Sequence, residues 1–221
     1  MHPKRMSRVT CASLIVTIAI ASTASAQMKS MGHDKNSTEM SKMEHTMADW
    51  PMASREAVAF MTKKYGAPVA MTADMAVWGK TGPWKRTVVY RAEYAHEFPM
   101  HHTDVMQQWI DYKAPAADKF GELAMYDGSV VVERTAGEMS ARCDKEGANF
   151  LALNLADEII AGKRSVADAR KMYGEQIMAM KAMQPAPYTM KLLFNVPMGG
   201  TGDPDHAVAA DHASNRPTNR P

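Results

Sequence analysis

After the first 26 residues, large apolar side chains are concentrated in the middle of the chain, and this distribution limits where a folded core can form. The segment 27–49 contains no Val, Ile, Leu or aromatic residue, and the segment 199–221 is rich in Gly, Pro, Asn and Asp without periodicity. Such segments bury too little apolar surface to offset the entropy lost on ordering. We therefore predict disordered tails at 27–49 and 199–221. A single domain is predicted over 50–198, a length that is sufficient for one stable core.

The first 26 residues have the pattern of a secretory signal peptide. They begin with basic residues, continue with an apolar run at 11–21 and end in Ala24-Ser25-Ala26, the small-x-small pattern that signal peptidase recognises. We predict cleavage before Gln27 and a periplasmic or secreted location. The mature chain would then keep one cysteine, Cys143, and could form no internal disulfide.

Charge and hydropathy argue against two classes of protein. The chain has 26 Lys and Arg against 24 Asp and Glu, and no block of like charge suggests a nucleic-acid-binding arm. No apolar run reaches the roughly 18 to 20 residues of a membrane span. We therefore expect no nucleic-acid partner, and no integral membrane segment after cleavage of the signal.

Residue periodicity within 50–198 predicts an α+β domain. Helical spacing predicts helices at 54–65, with Ser54 as N-cap, at 115–125, at 144–161, and after the cap Ser165. Alternation and β-branched residues predict strands at 84–94, 105–113 and 129–134. The order of these elements favours a mostly antiparallel sheet with helices packed on one face.

The tail at 27–49 is unusually rich in Met and His. Thioether sulfur is a soft ligand that selects Cu(I) or Ag(I) over harder ions. In these residues the tail resembles the Met/His-rich segments of periplasmic copper-binding proteins, which implies a ligand type and no fold. The candidate ligands are Met28, Met31, His33, Met40, Met43, His45 and Met47. The alternative is a spacer that shares the methionine bias of the whole chain, which has 21 Met.

A second candidate metal site lies between the first two predicted strands. Residues 96–104, HEFPMHHTD, contain three imidazoles and two carboxylates. Neutral imidazole with carboxylate suits Zn(II), Cu(II) or a non-haem Fe(II) site, and we take His96, His102 and Asp104 as the candidate ligands. The alternative is structural: His96 and His102 hydrogen-bond at a strand end, and Asp104 makes a turn or cap.

Cys143 is a candidate nucleophile or metal thiolate. The sequence places it at a predicted helix N-terminus beside Arg142 and Lys145, an arrangement that lowers a thiol pKa. Asp144 and Glu146 act in the opposite direction. Catalysis would also need a histidine that only the fold could bring close. The alternative is a buried, unpaired cysteine that packs as a small apolar residue.

The segment 78–169 carries a resemblance to known proteins. Its stretches GPWKRTVVY, HEFPMHHTD, DGSVVVERT and GEMSARCDKEGANFLALNLADEIIAGK resemble a family of secreted bacterial proteins of uncharacterised function. The resemblance implies export and a compact domain, and brings no activity or catalytic residue with it.

These observations support three functional hypotheses. The first is an exported soluble bacterial protein that binds a soft metal, copper above all, through the tail, with the loop at 96–104 as a second site. The second is an enzyme on the folded domain that uses Cys143 or the His/Asp metal site. The third is a non-catalytic interaction module of the cell envelope.

Overall fold

A computed structural model describes residues 41–209 of the protein. The chain divides into two compact units, 1–46 and 47–221. In the first unit, the described residues 41–46 are helical, and the Thr46 hydroxyl donates to the carbonyl of Lys42 at 2.9 Å. All the strands and helices named below belong to the second unit.

An antiparallel sheet with strands of different lengths lies at the centre of the second unit. Six strands are found in its described residues: β1 (Ala70–Met71), β2 (Met75–Trp78), β3 (Arg86–His96), β4 (His102–Asp111), β5 (Val131–Glu133) and β6 (Glu138–Cys143). Their order across the sheet is β1-β2-β3-β4-β6-β5, and each pair is antiparallel. The long strands β3 and β4 are therefore neighbours at the centre, joined by a short connection.

Helices cover this sheet. Within residues 47–209 they are α1 (Met52–Tyr65), α2 (Ala117–Tyr126), α3 (Glu146–Ile160), α4 (Val166–Lys181) and a 3₁₀ turn (Pro187–Thr189). Helix α1 packs on β3 and β4, and α3 packs on β4 and β6 as well as on α2 and α4. Three leucines of α3, Leu151, Leu153 and Leu155, are fully buried, which makes α3 the centre of the core. The predicted α+β fold is confirmed.

A buried carboxylate joins α1, α3 and the turn before β3. Glu146, in the first turn of α3, accepts hydrogen bonds from Tyr65 Oη at 2.7 Å and from Trp84 Nε1 at 2.8 Å, and it pairs with Lys64. A carboxylate that is 4% exposed is stable in this position because each partner donates to it. This contact fixes the start of α3, directly after the end of β6.

Three features differ from the sequence-based prediction. Strands β1, β2 and β6 were not predicted. Cys143, which ends β6, was placed at a helix N-terminus. Five of the six residues of β6 are buried, although its sequence, EMSARC, alternates polar and apolar residues, a strand pattern that the prediction missed. Ser54 is not an N-cap: α1 begins after Pro51, and the buried Ser54 hydroxyl donates to the carbonyl of Tyr90 at 2.7 Å.

The domain also extends beyond the predicted limits 50–198. Met47 is buried, although it was predicted to lie in the tail. At the other end, Thr201 is buried and the backbone N–H of Asp203 donates to the carbonyl of Thr135 at 2.9 Å. Gly137, with φ of +63°, faces this segment so closely that a Cβ there would lie 2.2 Å from the Thr201 carbonyl carbon. Residues 201–203 of the predicted C-terminal tail are therefore packed against the turn before β6.

No helix in the part of the chain from 41 to 209 combines the length and apolarity needed to cross a membrane.

Candidate metal centre

The β3–β4 hairpin brings two histidines and an aspartate together. His96 ends β3 and lies opposite His102, which begins β4, in the antiparallel register. Asp104 follows two residues later on β4, so its side chain points to the same face of the sheet as that of His102. The three candidate ligands of the 96–104 loop are thus positioned by local strand pairing.

The ligand atoms of these residues converge. His96 Nδ1 lies 3.2 Å from Asp104 Oδ2, and His102 Nε2 lies 3.2 Å from Asp104 Oδ1. One ligand atom from each of the three residues lies within 4.8 Å of the other two. Around a tetrahedral zinc ion with bonds of about 2.0 Å, ligand atoms are about 3.3 Å apart. The group therefore has the spacing of a metal-binding site.

These atoms also lack other partners. His96 Nδ1, His102 Nε2 and Asp104 Oδ1 are all buried, and none makes a hydrogen bond with another described residue. Each of the two nitrogens instead faces an Asp104 oxygen at 3.2 Å, the distance of an ion pair when the imidazole is protonated. Each unsatisfied buried polar group costs about 1–3 kcal/mol. One bound cation would satisfy all three atoms.

A hydrogen bond orients the imidazole of His102 toward this centre, and a carboxylate lies near the outer side of His96. His102 Nδ1 is 2.9 Å from the carbonyl oxygen of Met100, which can only accept, so Nδ1 carries a hydrogen, and in the neutral imidazole Nε2 keeps a lone pair that can bind a metal. On the outer side of His96, Nε2 faces Asp127 Oδ1 at 3.9 Å. Asp127 is itself held by the N–H and hydroxyl of Ser129, at 2.9 and 2.8 Å. Outer carboxylate or carbonyl partners of this kind are usual for metal-binding histidines.

The centre contains more buried negative charge than positive charge. Asp104 and Asp127 are both buried, and no Lys or Arg in the described residues forms an ion pair with either. The Asp104 carboxylate raises the pKa of His102 above its ordinary value. Burial raises the pKa of Asp127, and the hydrogen bonds from Ser129 partly oppose that shift. A divalent cation would supply the positive charge that the surrounding residues do not.

Cys143 has the buried environment of the second of its two predicted states. It ends strand β6 instead of starting a helix, and it is buried. Burial raises the pKa of its thiol well above the ordinary value, and the nearby Asp144 and Asp104 carboxylates add to this shift. The structure therefore agrees with the alternative of a buried, unpaired cysteine, because burial outweighs the backbone N–H groups of Asp144 and Lys145, which lower the thiol pKa. Cys143 is also not a member of the ligand group in the described chain.

A cavity of about 380 Å³ adjoins the metal centre. His102 forms part of its wall, together with Cys143, Met100, Tyr173 and Ile177. The fold therefore brings Cys143 and a histidine to one cavity, as the enzyme hypothesis requires, but with a thiol that is held in its neutral form.

The ligands predicted in the tail fall into two groups. Met28, Met31, His33 and Met40 lie outside the described residues. In the described part, Met43 is half-buried and His45 is exposed, whereas Met47 is buried in the folded unit. Met47 is therefore part of the core, and the soft-metal function of the other tail residues stays a prediction.

Sequence reasoning missed Asp127. The Asp127-Gly128 pair was interpreted only as a turn, and Asp127 does accept from Ser129 in that turn. Its second role, facing His96, depends on where α2 ends relative to the β3–β4 hairpin. No local pattern carries that information.

The fold and the site together define an α+β domain with a candidate metal centre on its central hairpin. Comparison with protein-family models, with curated proteins and with solved structures finds no match to this chain. The functional argument therefore depends on the geometry of the site and on the sequence.

Proposed function

We propose that this domain binds a divalent first-row transition metal ion through His96 Nδ1, His102 Nε2 and a carboxylate oxygen of Asp104. The observation that carries the proposal is the convergence of three buried ligand atoms that have no other partner. The second supporting observation is the hydrogen-bond contact of His102 Nδ1 with the Met100 carbonyl, which turns Nε2 toward Asp104.

The ligand set restricts the class of ion. Two imidazoles and one carboxylate suit Zn(II), Cu(II) or Fe(II), whereas Mg²⁺ and Ca²⁺ prefer oxygen ligands and Cu(I) prefers sulfur. Three protein ligands leave one coordination position open, which is typical of sites that hold water or a substrate. The ion would supply Lewis acidity at that position, and the chain's residues would hold and orient the ion.

The alternative that this proposal must exclude is a purely structural cluster. In that case His102, whose pKa is raised, would carry a proton and pair with Asp104 without any metal. A metal site predicts that the chain binds a divalent ion and that the affinity depends on His102 and not on His101. A purely structural cluster predicts no such binding.

A competition titration with a chromophoric chelator tests the proposal. We expect the full chain to bind one Zn²⁺ at this centre, and His102→Gln and Asp104→Asn to weaken binding at least 100-fold. His101→Gln is the matched control, because His101 lies in the same loop but is exposed, and its ring nitrogen faces Glu97 instead of Asp104. Absence of Zn²⁺, Cu²⁺ and Fe²⁺ binding, or equal losses in the His101 and His102 variants, would contradict the proposal.

Export and the soft-metal tail are separate proposals that rest on the sequence alone. The signal pattern at 1–26 supports a periplasmic or secreted location, and the Met/His density of 27–49 supports capture of Cu(I). Neither is needed for the metal centre, so each can fail without affecting it. Cell fractionation of the tagged full-length protein, with N-terminal sequencing of the product, tests export.

A further inference from the structure

The cavity beside the metal centre has the composition of a ligand site. Its wall is largely apolar, with Pro99, Ala148, Tyr173, Ile177 and the thioether of Met180 among the lining residues. The volume of about 380 Å³ lies near the lower end of the range for small-molecule pockets, about 300–1,000 Å³. The wall therefore fits a small ligand with an apolar body.

The two lysines at this cavity, Lys145 and Lys181, differ in whether a carboxylate pairs with them. Lys145 forms an ion pair with Asp144, and His101 Nδ1 lies 2.8 Å from a Glu97 oxygen. Lys181 Nζ instead lies 3.1 Å from the neutral sulfur of Met100, and no carboxylate in the described residues forms an ion pair with it. One ammonium group at the cavity is thus left without a compensating negative charge.

We propose that this cavity binds a small organic anion, with its apolar body against the wall and its anionic group at the Lys181 ammonium. The inference deepens the metal-centre proposal and rests on it in one respect: His102 belongs to both sites, so a bound divalent ion should strengthen binding of the anion. Carboxylates and phosphate monoesters share the required chemistry, a single anionic head group on a short apolar chain.

Methionine methyl groups report directly on this cavity. We propose to titrate the full chain, labelled with ¹³C-methyl methionine, with hexanoate and with hexyl phosphate, before and after loading with Zn²⁺. The Met100 and Met180 resonances, assigned from Met→Leu variants, should shift with saturation, while that of the exposed Met178 should not, because Met178 does not line the cavity. The tighter of the two anions identifies the head group. Hexanol and hexylammonium serve as neutral and cationic controls.

Two lysine variants test the charge argument. Lys181→Gln should weaken binding of the anion about tenfold or more, as expected for loss of one hydrogen bond to a charged group. Lys171→Gln is the matched control, because Lys171 is also exposed on α4 but lines a different part of the surface. Ile177→Trp should reduce binding by filling the cavity, and its ligand-free methionine spectrum shows whether the fold is kept.

The outcomes separate this inference from the metal-centre proposal. If Zn²⁺ binds as proposed and neither anion shifts Met100 or Met180, the cavity inference is wrong and the metal centre stands. If an anion shifts both resonances but no metal binds, the metal centre is wrong and anion binding at the cavity stands. Equal shifts with hexanol or hexylammonium, or equal losses in the two lysine variants, would overturn the assignment of an anion to Lys181.

Discussion

Asp127 is expected to strengthen metal binding without touching the ion. Its Oδ1 lies 3.9 Å from His96 Nε2, on the side of the imidazole opposite Nδ1. A zinc ion about 2.1 Å from Nδ1 would therefore be about 7 Å from the Asp127 carboxylate. Asp127→Asn removes the negative charge and keeps an amide oxygen that can accept from Ser129.

The size of the effect can be bounded. At an effective dielectric constant of about 20, a divalent ion and a carboxylate about 7 Å apart attract by about 4–5 kcal/mol, which is an upper limit. Loss of an outer carboxylate partner of a metal-binding histidine typically weakens metal affinity 10–100-fold. Burial raises the pKa of Asp127, which means that it disfavours the charged carboxylate. We therefore expect the zinc affinity to fall by less than the electrostatic limit, within this 10–100-fold range.

The assay is Zn²⁺ competition against a chelator for the wild type and for Asp127→Asn, with urea unfolding of both metal-free proteins. Asp111→Asn is the matched control, since Asp111 lies at the far end of β4 and pairs with Lys85. We expect its zinc affinity to equal that of the wild type. The reasoning fails if Asp127→Asn binds Zn²⁺ as tightly as the wild type, or if both variants lose the same affinity.

Three further predictions concern stability and the tail. Hydrogen bonds from Arg86, and to a smaller extent from Lys85, hold the pKa of Glu138 below its ordinary value. The stability that Glu138 contributes is therefore fully present when the pH is above the ordinary pKa, and it is lost as the pH falls through the lowered pKa. Urea unfolding between pH 6 and pH 3 should therefore show a smaller loss of stability in Glu138→Gln than in the wild type; an identical loss would contradict this. Gly137→Ala should release the segment that contains Thr201, because the added Cβ would overlap its backbone, and limited proteolysis should then cleave that segment faster than in the wild type. A chain that starts at Met47 should lose tight Cu(I) binding under reducing conditions, and retention of that binding would refute the tail as the copper-binding segment.

Several elements of the fold follow from local sequence. The helices α2, α3 and α4 agree with the predicted ranges to within about two residues at most ends, because apolar periodicity and end signals are local. Ser165 is the cap that the sequence predicts, and its hydroxyl oxygen accepts from the N–H of Asp168 at 3.1 Å. Strands β3 and β4 were also predicted, although their boundaries shift by a few residues.

The grouping of His96, His102 and Asp104 could be predicted for the same reason. The three residues belong to one hairpin, and strand pairing places them together across a short connection. Their identity as candidate ligands therefore came from residue type and spacing, whereas their distances and their lack of hydrogen-bond partners came from the structure.

Non-local contacts decided the remaining features. The position of strand β6 between β4 and β5 is one such feature, although its own sequence, EMSARC, alternates polar and apolar residues and could have been predicted as a strand. Its position buries Cys143 and raises the pKa of its thiol, which decides between the two states that the sequence left open. The approach of Asp127 to His96 likewise depends on the packing of α2 against the rest of the domain.

The sequence by itself thus determined the α+β class, most of the helices and the three candidate ligands, because periodicity, capping and hairpin pairing act over short separations along the chain. Only the tertiary structure decided which carboxylate faces His96, whether Cys143 is buried and where the cavity lies. These depend on desolvation and on contacts between elements that are distant in sequence, and both arise only when the chain has packed.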